Sequence, residues 1–395
     1  MKRETKPIKN STKNIYTLGF VSFFTDLSNE MILSLLPTFI IALPGSGPAL
    51  LGLIEGIAEA LSYSMRAISG IISDKNGKRK NLVLAGYGLS NIIKPLFGAT
   101  QNVIEVLSIR IFDRIGKGIR TAPRDALICE SVPEKNRGAA FGLHRTLDQT
   151  GAILGPLLAS ALLIIFGFTV REVFWLSIIP GSAALVILII FVKEQVCKRE
   201  SKFTFLKGIR NVVNGNFLLL LVIVSVFSLG AFNYSFILLF GSDVGISSEY
   251  IPLIFALVNI AYVTIAIPAG LIADKLGREK VLLLGYSIFL AVTLTIFLGL
   301  NNYFAVLFVA ILFGLYQGIV NTTTRALIPK YVHPNLVGTA YGMYYLVAGF
   351  SFLIANIVVG LLWNNIGSSI ACMYSLFLTG SSLIGFTIFI KQKLN

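Results

Sequence analysis

Long apolar stretches separated by short polar segments recur along the whole chain of 395 residues. Each stretch is about twenty residues long, which is enough for an α-helix to cross ~30 Å of hydrocarbon. The strands of a membrane barrel would be about ten residues long with alternating polarity, and an open sheet would leave backbone groups without partners in lipid. The pattern therefore predicts an all-helical polytopic membrane protein.

Twelve spans are predicted, six on either side of the one long polar connection, which runs from Lys193 to Gly215. They cover 15–42, 50–73, 81–99, 103–125, 137–166 and 172–193, then 214–241, 250–273, 281–299, 302–325, 335–363 and 367–390. The predicted domains are an N-terminal six-helix bundle at 1–193, a cytoplasmic central loop at 194–213 and a C-terminal six-helix bundle at 214–395.

Composition and charge agree with a bilayer environment. The chain is 55% hydrophobic and 13% charged, whereas soluble domains carry about 25% charged residues. The net charge of +14 would suggest a nucleic-acid partner in a soluble protein, but in a membrane protein the positions of the basic residues matter more. In the predicted loops they fall on one side, with Arg171 alone on the other. The positive-inside rule therefore predicts that both termini are cytoplasmic.

No residue pattern indicates a cofactor or a metal site. The cysteines Cys129, Cys197 and Cys372 form no spacing motif, and His144 and His333 are the only histidines. A Walker A glycine loop is also missing from the sequence, so ATP is not the expected energy source. We expect no cofactor, no metal and no disulfide.

An internal repeat with a constant offset of 200 residues relates the two halves. The segment 70–80 recurs at 270–280, with glycine, aspartate and lysine at matching positions. Two shorter matches keep the same offset: 114–119 with 314–319, and 138–142 with 338–342. Three matches in one register predict two parallel repeats about an axis along the membrane normal, with a site between them.

These motifs resemble those of the major facilitator superfamily of secondary transporters, over nearly the whole chain. The best marker is the loop pattern G-x-x-x-D-R/K-x-G-R/K-R/K between the second and third helices. It is matched at Gly70, Asp74, Lys75, Gly77, Lys78 and Arg79, and again at Gly270, Asp274, Lys275, Gly277 and Arg278. The resemblance implies two six-helix bundles and a cytoplasmic gate at this loop, against the plainer interpretation of a solvated basic turn. Glu279 departs from the pattern, so the second gate is expected to be weaker.

Two partial motifs resemble those of drug:proton antiporters and exporters. Arg114, Lys117 and Gly118 match a fourth-helix pattern in which glutamine is usual in place of the lysine. The fifth-helix pattern G-x-x-x-G-P is matched at Gly151, Gly155 and Pro156. Small residues let helices approach closely and proline bends them, so plain helix packing is an open alternative. The resemblance slightly favours export.

Ionisable residues inside the spans are costly in lipid and are usually buried against a partner or a water-filled cavity. The candidate proton or substrate pathway consists of nine ionisable residues of the first half: Asp26, Glu30, Glu55, Glu59, Lys94, Arg110, Asp113, Arg114 and Asp148. Neutral polar residues are expected to face them from the second half: Asn233, Tyr234, Asn259, Tyr316, Gln317 and Asn321. Asp26 and Glu30 share one helix face, as Glu55 and Glu59 do, which suits residues that exchange a proton. A structural ion-pair network is the alternative.

The leading hypothesis is a proton-coupled secondary transporter that moves a small organic solute by alternating access. The resemblance implies a monomer in the cytoplasmic (inner) membrane of a prokaryote, with the lipid bilayer, protons and a small molecule as partners and no nucleic acid. An importer of a siderophore or a carboxylate metabolite stays open. A membrane-embedded acyltransferase using His144 and Asp148 is a remote alternative, and no signalling domain or filter-like loop favours a receptor or channel. We therefore do not expect an enzyme.

Overall fold

The computed structural model describes residues 11–76, 79–132, 137–194, 215–333 and 336–394, and these are mostly helical. The helices of the first half are α1 Ser11–Leu33, α2 Leu36–Ile41, α3 Pro48–Asn76, α4 Lys80–Ile93, α5 Val103–Glu130, α6 Arg137–Ile164, α7 Val170–Leu176 and α8 Ile178–Phe191. Those of the second half are α9 Gly215–Gly230, α10 Tyr234–Asp243, α11 Ile251–Leu276, α12 Arg278–Phe297, α13 Tyr303–Leu327, α14 Val337–Asn365 and α15 Ser368–Leu394. Two 3-10 segments, Lys94–Ala99 and Ile328–Tyr331, extend α4 and α13. The predicted all-helical membrane fold is confirmed.

Nine helical segments among the described residues are long and apolar enough to cross a membrane. The other three predicted spans correspond to α1 with α2, to α3 and to α5. These three contain all nine candidate pathway residues except Lys94 and Asp148. The polar and charged residues of these three spans lower their mean hydropathy.

Several predicted spans are broken rather than continuous, which corrects the sequence prediction. The span 15–42 divides after Leu33, and Pro37 lies at the start of α2, where its missing N–H costs little. The span 214–241 divides before Asn233, whose side chain accepts a hydrogen bond from the Ser235 amide at 2.9 Å and caps α10. The span 172–193 divides at Ser177, between α7 and α8. Average hydropathy does not detect such local breaks.

Packing divides the chain into two compact units. Unit 1 comprises Met1–Leu33, Ser64–Thr100 and Ile104–Lys202; unit 2 comprises Ser34–Tyr63, Gln101–Val103 and Phe203–Asn395. Helix α2 and the first half of α3 therefore group with the helices of the second sequence half. The division at 194–213 follows the sequence repeat and stays a prediction.

In unit 1, α1 and α6 approach each other through glycines of α6. A Cβ atom at Gly155 would lie 2.8 Å from the Leu27 carbonyl oxygen, and one at Gly151 would overlap the Phe23 carbonyl oxygen. Substitution of either glycine would therefore force the two backbones apart. The apolar core of this unit includes the fully buried Leu18 and Leu127.

In unit 2, an aromatic cluster fills the space between α9, α12 and α13. The ring of Phe289 lies 5.6 Å from that of Phe227 and 4.7 Å from that of Tyr316. The first half of α3 packs closely on α14, because a Cβ atom at Gly52 would overlap the Asn356 carbonyl oxygen. Close backbone contact thus fixes this half of α3 within unit 2.

Candidate functional site

Buried charged side chains from α1, α4, α5 and α6 form a polar group inside unit 1. The contact between α4 and α5 depends on two glycines: a Cβ atom at Gly86 would lie 2.6 Å from the Gly116 carbonyl oxygen, and one at Gly116 would lie 2.8 Å from the Gly86 carbonyl oxygen. Helices in such close contact bring α4 side chains directly onto α5.

Charged residues recur every three or four positions along α5, so that they share one helix face: Arg110, Asp113, Arg114, Lys117, Arg120 and Arg124. Asp113 lies at the centre of the N-terminal part of this face. Its Oδ1 accepts a hydrogen bond from Ser90 Oγ at 2.5 Å, and its Oδ2 lies 3.5 Å from Arg110 Nη1 and 3.4 Å from Arg114 Nε. One buried carboxylate therefore faces two buried guanidinium groups.

Lys94 is fully buried at the end of α4. Its ammonium group donates to the side-chain oxygen of Asn29 and, at 3.0 Å, to that of Asn91. Asn29 in turn donates to Asp26 Oδ1 at 3.3 Å. The lysine is therefore bound by neutral amides, and one of these connects it to a carboxyl group of α1.

Asp26 of α1 and Asp148 of α6 are neighbours whose carboxyl groups interact electrostatically. Asp148 also accepts from Ser22 Oγ at 2.7 Å and forms an ion pair with Arg145 Nη1 at 3.0 Å. Two neighbouring carboxyl groups can share one proton, because an ionised carboxylate accepts a hydrogen bond from a protonated one. The two carboxyl groups are therefore a candidate site for one proton.

Glu30 lies one turn further along α1, among the positive charges of Lys117, Arg114 and Arg110. A Cβ atom at Gly155 would lie 2.9 Å from its Cβ, so the close contact of α6 with α1 also fixes the position of this residue. Seven of the nine predicted pathway residues therefore belong to unit 1.

The remaining two, Glu55 and Glu59, lie in the part of α3 that belongs to unit 2. Glu55 is fully buried and Glu59 is half-buried. The sequence groups them with the other acids of the first half because it gives no information on which unit each half of α3 joins. The other seven belong to unit 1.

Three of the six neutral residues predicted to face the pathway have clear structural contacts within unit 2. The Asn233 amide donates to the Asn356 side chain at 3.0 Å, Tyr234 stacks on Phe255 at 4.5 Å, and Tyr316 belongs to the aromatic cluster. Asn259 and Gln317 are half-buried and Asn321 is exposed.

Sequence reasoning missed Arg120 and Arg124. Arg120 is buried with its guanidinium carbon 4.1 Å from the ring centroid of Tyr87. Arg124 forms an ion pair with Asp125 at 2.9 Å and donates to Ser22 Oγ at 3.3 Å. Both lie within the predicted span 103–125, and their spacing from Lys117 indicates the same helix face.

The first copy of the loop motif surrounds the start of α4. Asp74 and Lys75 belong to the end of α3, whereas Gly77 and Lys78 lie outside the described residues. The backbone amides of Arg79 and Lys80 donate to the carboxylate of Glu194 at 2.9 and 3.0 Å. This carboxylate stabilises the positive end of the α4 dipole.

An ion pair adds to this contact, because Arg79 Nη2 lies 2.7 Å from Glu130 Oε1 at the end of α5. The second copy contains an ion pair in which the acidic and basic positions are exchanged, with Lys330 Nζ 2.6 Å from Glu279 Oε1. Glu279 and Lys330 occupy the positions 200 residues after Arg79 and Glu130. The departure of Glu279 from the motif is therefore matched by a reversed charge on its partner.

Gly277, in the second copy, has φ +97°, a conformation that favours glycine. On either side of this turn, Arg278 donates to the Ala326 carbonyl oxygen at 2.6 Å and lies 3.4 Å from Asp274 Oδ1. Tyr331 donates to Glu279 at 2.6 Å. These contacts tie α12 to the end of α13.

Among the described residues, no group of three or more histidine, cysteine or acidic side chains could hold a metal ion. Cys129 is half-buried and Cys372 is buried, and both are free thiols. Cys197 lies outside the described residues.

Comparison with known proteins identifies relatives over almost the whole chain. The model of the Major Facilitator Superfamily matches residues 18–210 and 218–393. An uncharacterized MFS-type transporter of Methanocaldococcus jannaschii is 34% identical over 359 residues, which are 89% of each chain. The multidrug resistance protein MdtG of Proteus mirabilis is 26% identical over 352 residues, covering 85% of this chain and 86% of that protein.

Solved structures share the fold at low sequence identity. The nucleoside transporter NupG has a TM-score of 0.75 at 15% identity and covers 95% of this chain and 98% of its own. A POT family transporter in complex with 5-aminolevulinic acid has a TM-score of 0.78 at 15% identity, over 95% of each chain. These similarities concern the fold alone.

Proposed function

The chain belongs to the Major Facilitator Superfamily, and from this premise we propose that it is a proton-coupled secondary transporter of a small organic solute. Its family and its MFS-type relatives are transporters rather than enzymes. The acyltransferase alternative built on His144 and Asp148 is therefore set aside. The protein is a multi-pass membrane protein with bacterial and archaeal relatives, which agrees with a cytoplasmic membrane.

The observation that carries the coupling proposal is the carboxyl pair of Asp26 and Asp148. Asp148 is buried, Asp26 lies beside it on the neighbouring helix, and Arg145 forms an ion pair with Asp148. A change in the position of this cation alters the balance between the protonated and ionised states. Proton release can thus be coupled to a conformational change of unit 1.

Export is the proposed direction, because the multidrug resistance proteins among the relatives share most of the chain. The G-x-x-x-G-P motif supports the same direction by resemblance, and its two glycines lie against α1. Import of a metabolite is the alternative that the experiment distinguishes. Both termini are proposed to be cytoplasmic on the basis of the basic loops.

The proposal is tested with purified protein in proteoliposomes. A mass-spectrometric comparison of vesicles with and without the protein, incubated in a small-molecule extract, first identifies a transported solute. Asp26→Asn and Asp148→Asn are each expected to abolish accumulation driven by a pH gradient, because the amide cannot release a proton. Exchange of labelled for unlabelled solute, which needs no net proton movement, should continue in both variants.

Glu105→Gln provides a matched control, since Glu105 is an exposed carboxylate at the start of α5. This variant should accumulate solute like the wild type. Full proton-driven accumulation by both aspartate variants would refute the assignment of the pair as the coupling site. Export would be supported if the solute accumulates only in vesicles whose interior corresponds to the outside of the cell.

A further inference from the structure

A small cavity opens at the surface of unit 1, between the start of α1 and the end of α8. It is lined by Lys13 and Asn14 of α1, by Ile190 and Phe191 of α8, and by Lys193 just after α8. Its empty space, including the open mouth, is about 280 Å³. None of these residues belongs to the candidate proton or substrate pathway or to the loop motif, so the cavity is separate from the function proposed above.

Direct contacts between α1 and the end of α8 hold the lining residues together. Asn14 is buried, and its side-chain nitrogen donates to the Lys193 carbonyl oxygen at 3.1 Å. Its side-chain oxygen accepts from the Lys193 amide, also at 3.1 Å. Lys13 Nζ lies 5.7 Å from the centroid of the Phe191 ring. These contacts place both lysines around one opening.

The two lysines of the cavity are not neutralised by the protein in the part of the chain that the structure describes. No carboxylate there lies within ion-pair distance of Lys13 or Lys193, and both residues are exposed. Glu194 follows Lys193 directly, but its carboxylate accepts from the backbone amides of Arg79 and Lys80. The cavity therefore combines two positive charges that an anionic group can neutralise.

An exposed apolar surface continues from the cavity along the two helices. Tyr16 and Phe20 share the face of α1 that carries Lys13, and they are 50% and 46% exposed. Phe191 of α8 is 44% exposed. Such a surface contacts acyl chains in a membrane protein, and tyrosine is typical of the headgroup level. Lys13 and Lys193 lie at the ends of the predicted spans that begin at 15 and end at 193, where headgroups join acyl chains.

We propose that this cavity binds the phosphate headgroup of an anionic phospholipid, whose acyl chains lie along the exposed apolar surface of α1 and α8. Lys13 and Lys193 supply the positive charge, and Asn14 keeps the two lysines around one opening by fixing the chain after α8 on α1. Basic pockets between membrane helices bind such headgroups. A lipid is the occupant rather than free phosphate, because the apolar surface begins at the cavity itself.

Native mass spectrometry of the full-length protein, delipidated in detergent and titrated with phosphatidylglycerol, tests the site. The wild type should bind phosphatidylglycerol more tightly than phosphatidylcholine with the same acyl chains, because only the former carries a net negative charge. A lysine beside an anionic headgroup contributes about 1 kcal/mol, so Lys13→Gln and Lys193→Gln should each weaken phosphatidylglycerol binding about five-fold. Lys13→Arg keeps the charge and should retain most of the affinity.

Lys391→Gln is the matched control, since it removes one positive charge from an exposed lysine near the end of α15 and should keep the wild-type affinity. Unchanged affinity in both glutamine variants of the cavity, or an equal loss in Lys391→Gln, would overturn the site. Glycerol 3-phosphate, which has the phosphate without acyl chains, should not be retained at the same concentrations. Retention equal to that of the lipid would mean a site for free anions and would also overturn the proposal. The measurement involves neither solute nor proton gradient, so its result is independent of the proposed transport function.

Discussion

The reversed ion pairs beside the two copies of the loop motif allow a quantitative prediction. Arg79 and Glu130 form the first pair at 2.7 Å with side-chain exposures of 5% and 17%, and Lys330 and Glu279 form the second at 2.6 Å with exposures of 48% and 11%. Exposed pairs contribute about 0.2–1 kcal/mol, whereas hydrogen bonds to buried charged groups contribute about 1.5–3 kcal/mol. The first pair should therefore have the larger coupling energy.

Double-mutant cycles measure these energies. Alanine replacements of each residue, singly and together, are unfolded in mixed micelles by sodium dodecyl sulfate, and the two tryptophans, Trp175 and Trp363, report the transition. The expected coupling energy is about 2 kcal/mol for Arg79 with Glu130 and below about 1 kcal/mol for Glu279 with Lys330. Solvent screening of the exposed Lys330 ammonium is the reason for the smaller value.

Charge reversal provides the sharper test, because it converts the second repeat to the arrangement of the first. Glu279→Arg alone places two cations together, and Lys330→Glu alone places two anions together, so each should be less stable than the wild type. Glu279→Arg combined with Lys330→Glu should recover most of the loss. If the double variant is no more stable than the worse single variant, the two positions do not act as an ion pair and the reasoning fails.

Three further predictions follow from the topology, the loop motif and the α4–α5 contact. A reporter fused after Lys393 or inserted near Lys198 should stay in the cytoplasm, and a signal from the opposite side for either fusion would overturn the topology. Asp74→Asn should slow transport much more than it alters solute binding, and a large loss of affinity with normal turnover in a binding and flux comparison would contradict a gating role. Gly86→Ala should cost about 1–3 kcal/mol in a denaturation measurement because its Cβ meets the α5 backbone, whereas Gly88→Ala on the same helix meets nothing within 4 Å and should be neutral or stabilising.

The sequence predicted the helices and their repeat because long apolar stretches and a constant offset are properties of the chain alone. It did not predict the breaks at Leu33 and before Asn233, since these depend on capping contacts and proline position rather than on mean hydropathy. The assignment of Ser34–Tyr63 to unit 2 depends on tertiary packing, through contacts such as that of Gly52 with α14. No linear pattern in the first half indicates it.

The candidate site was likewise predictable from the sequence only in part. The sequence identifies the charged residues inside the predicted spans. The pairing of each carboxyl group with a cation depends on helix rotation and on close contacts at glycines. Two features could have been found from the sequence. Arg120 and Arg124 continue the spacing of charges on α5, and Lys330 occupies the position equivalent to Glu130 under the 200-residue offset. The proximity of Asp26 and Asp148 could not, because those residues are distant in sequence and meet only through the packing of α1 on α6.

That packing leads to the last prediction, which concerns Gly155. An added methyl at this position would lie 2.8 Å from the Leu27 carbonyl oxygen and 3.1 Å from the Met31 amide nitrogen, and both are backbone atoms that cannot rotate away. Gly155→Ala should therefore push α6 away from α1, at a cost of about 1–3 kcal/mol. The same displacement should separate the Asp26 and Asp148 carboxyls and weaken proton-driven accumulation more than solute exchange.

Gly142 on the same helix gives the matched control, since a Cβ atom there meets nothing within 4 Å. Gly142→Ala should leave transport unchanged and raise stability by up to about 1 kcal/mol, because alanine favours the helix. The two substitutions add the same methyl group to one helix and are expected to have opposite effects on the free energy of unfolding. Equal effects would mean that helix propensity, rather than contact with α1, determines the response, and Gly155 would then have no part in positioning the carboxyl pair.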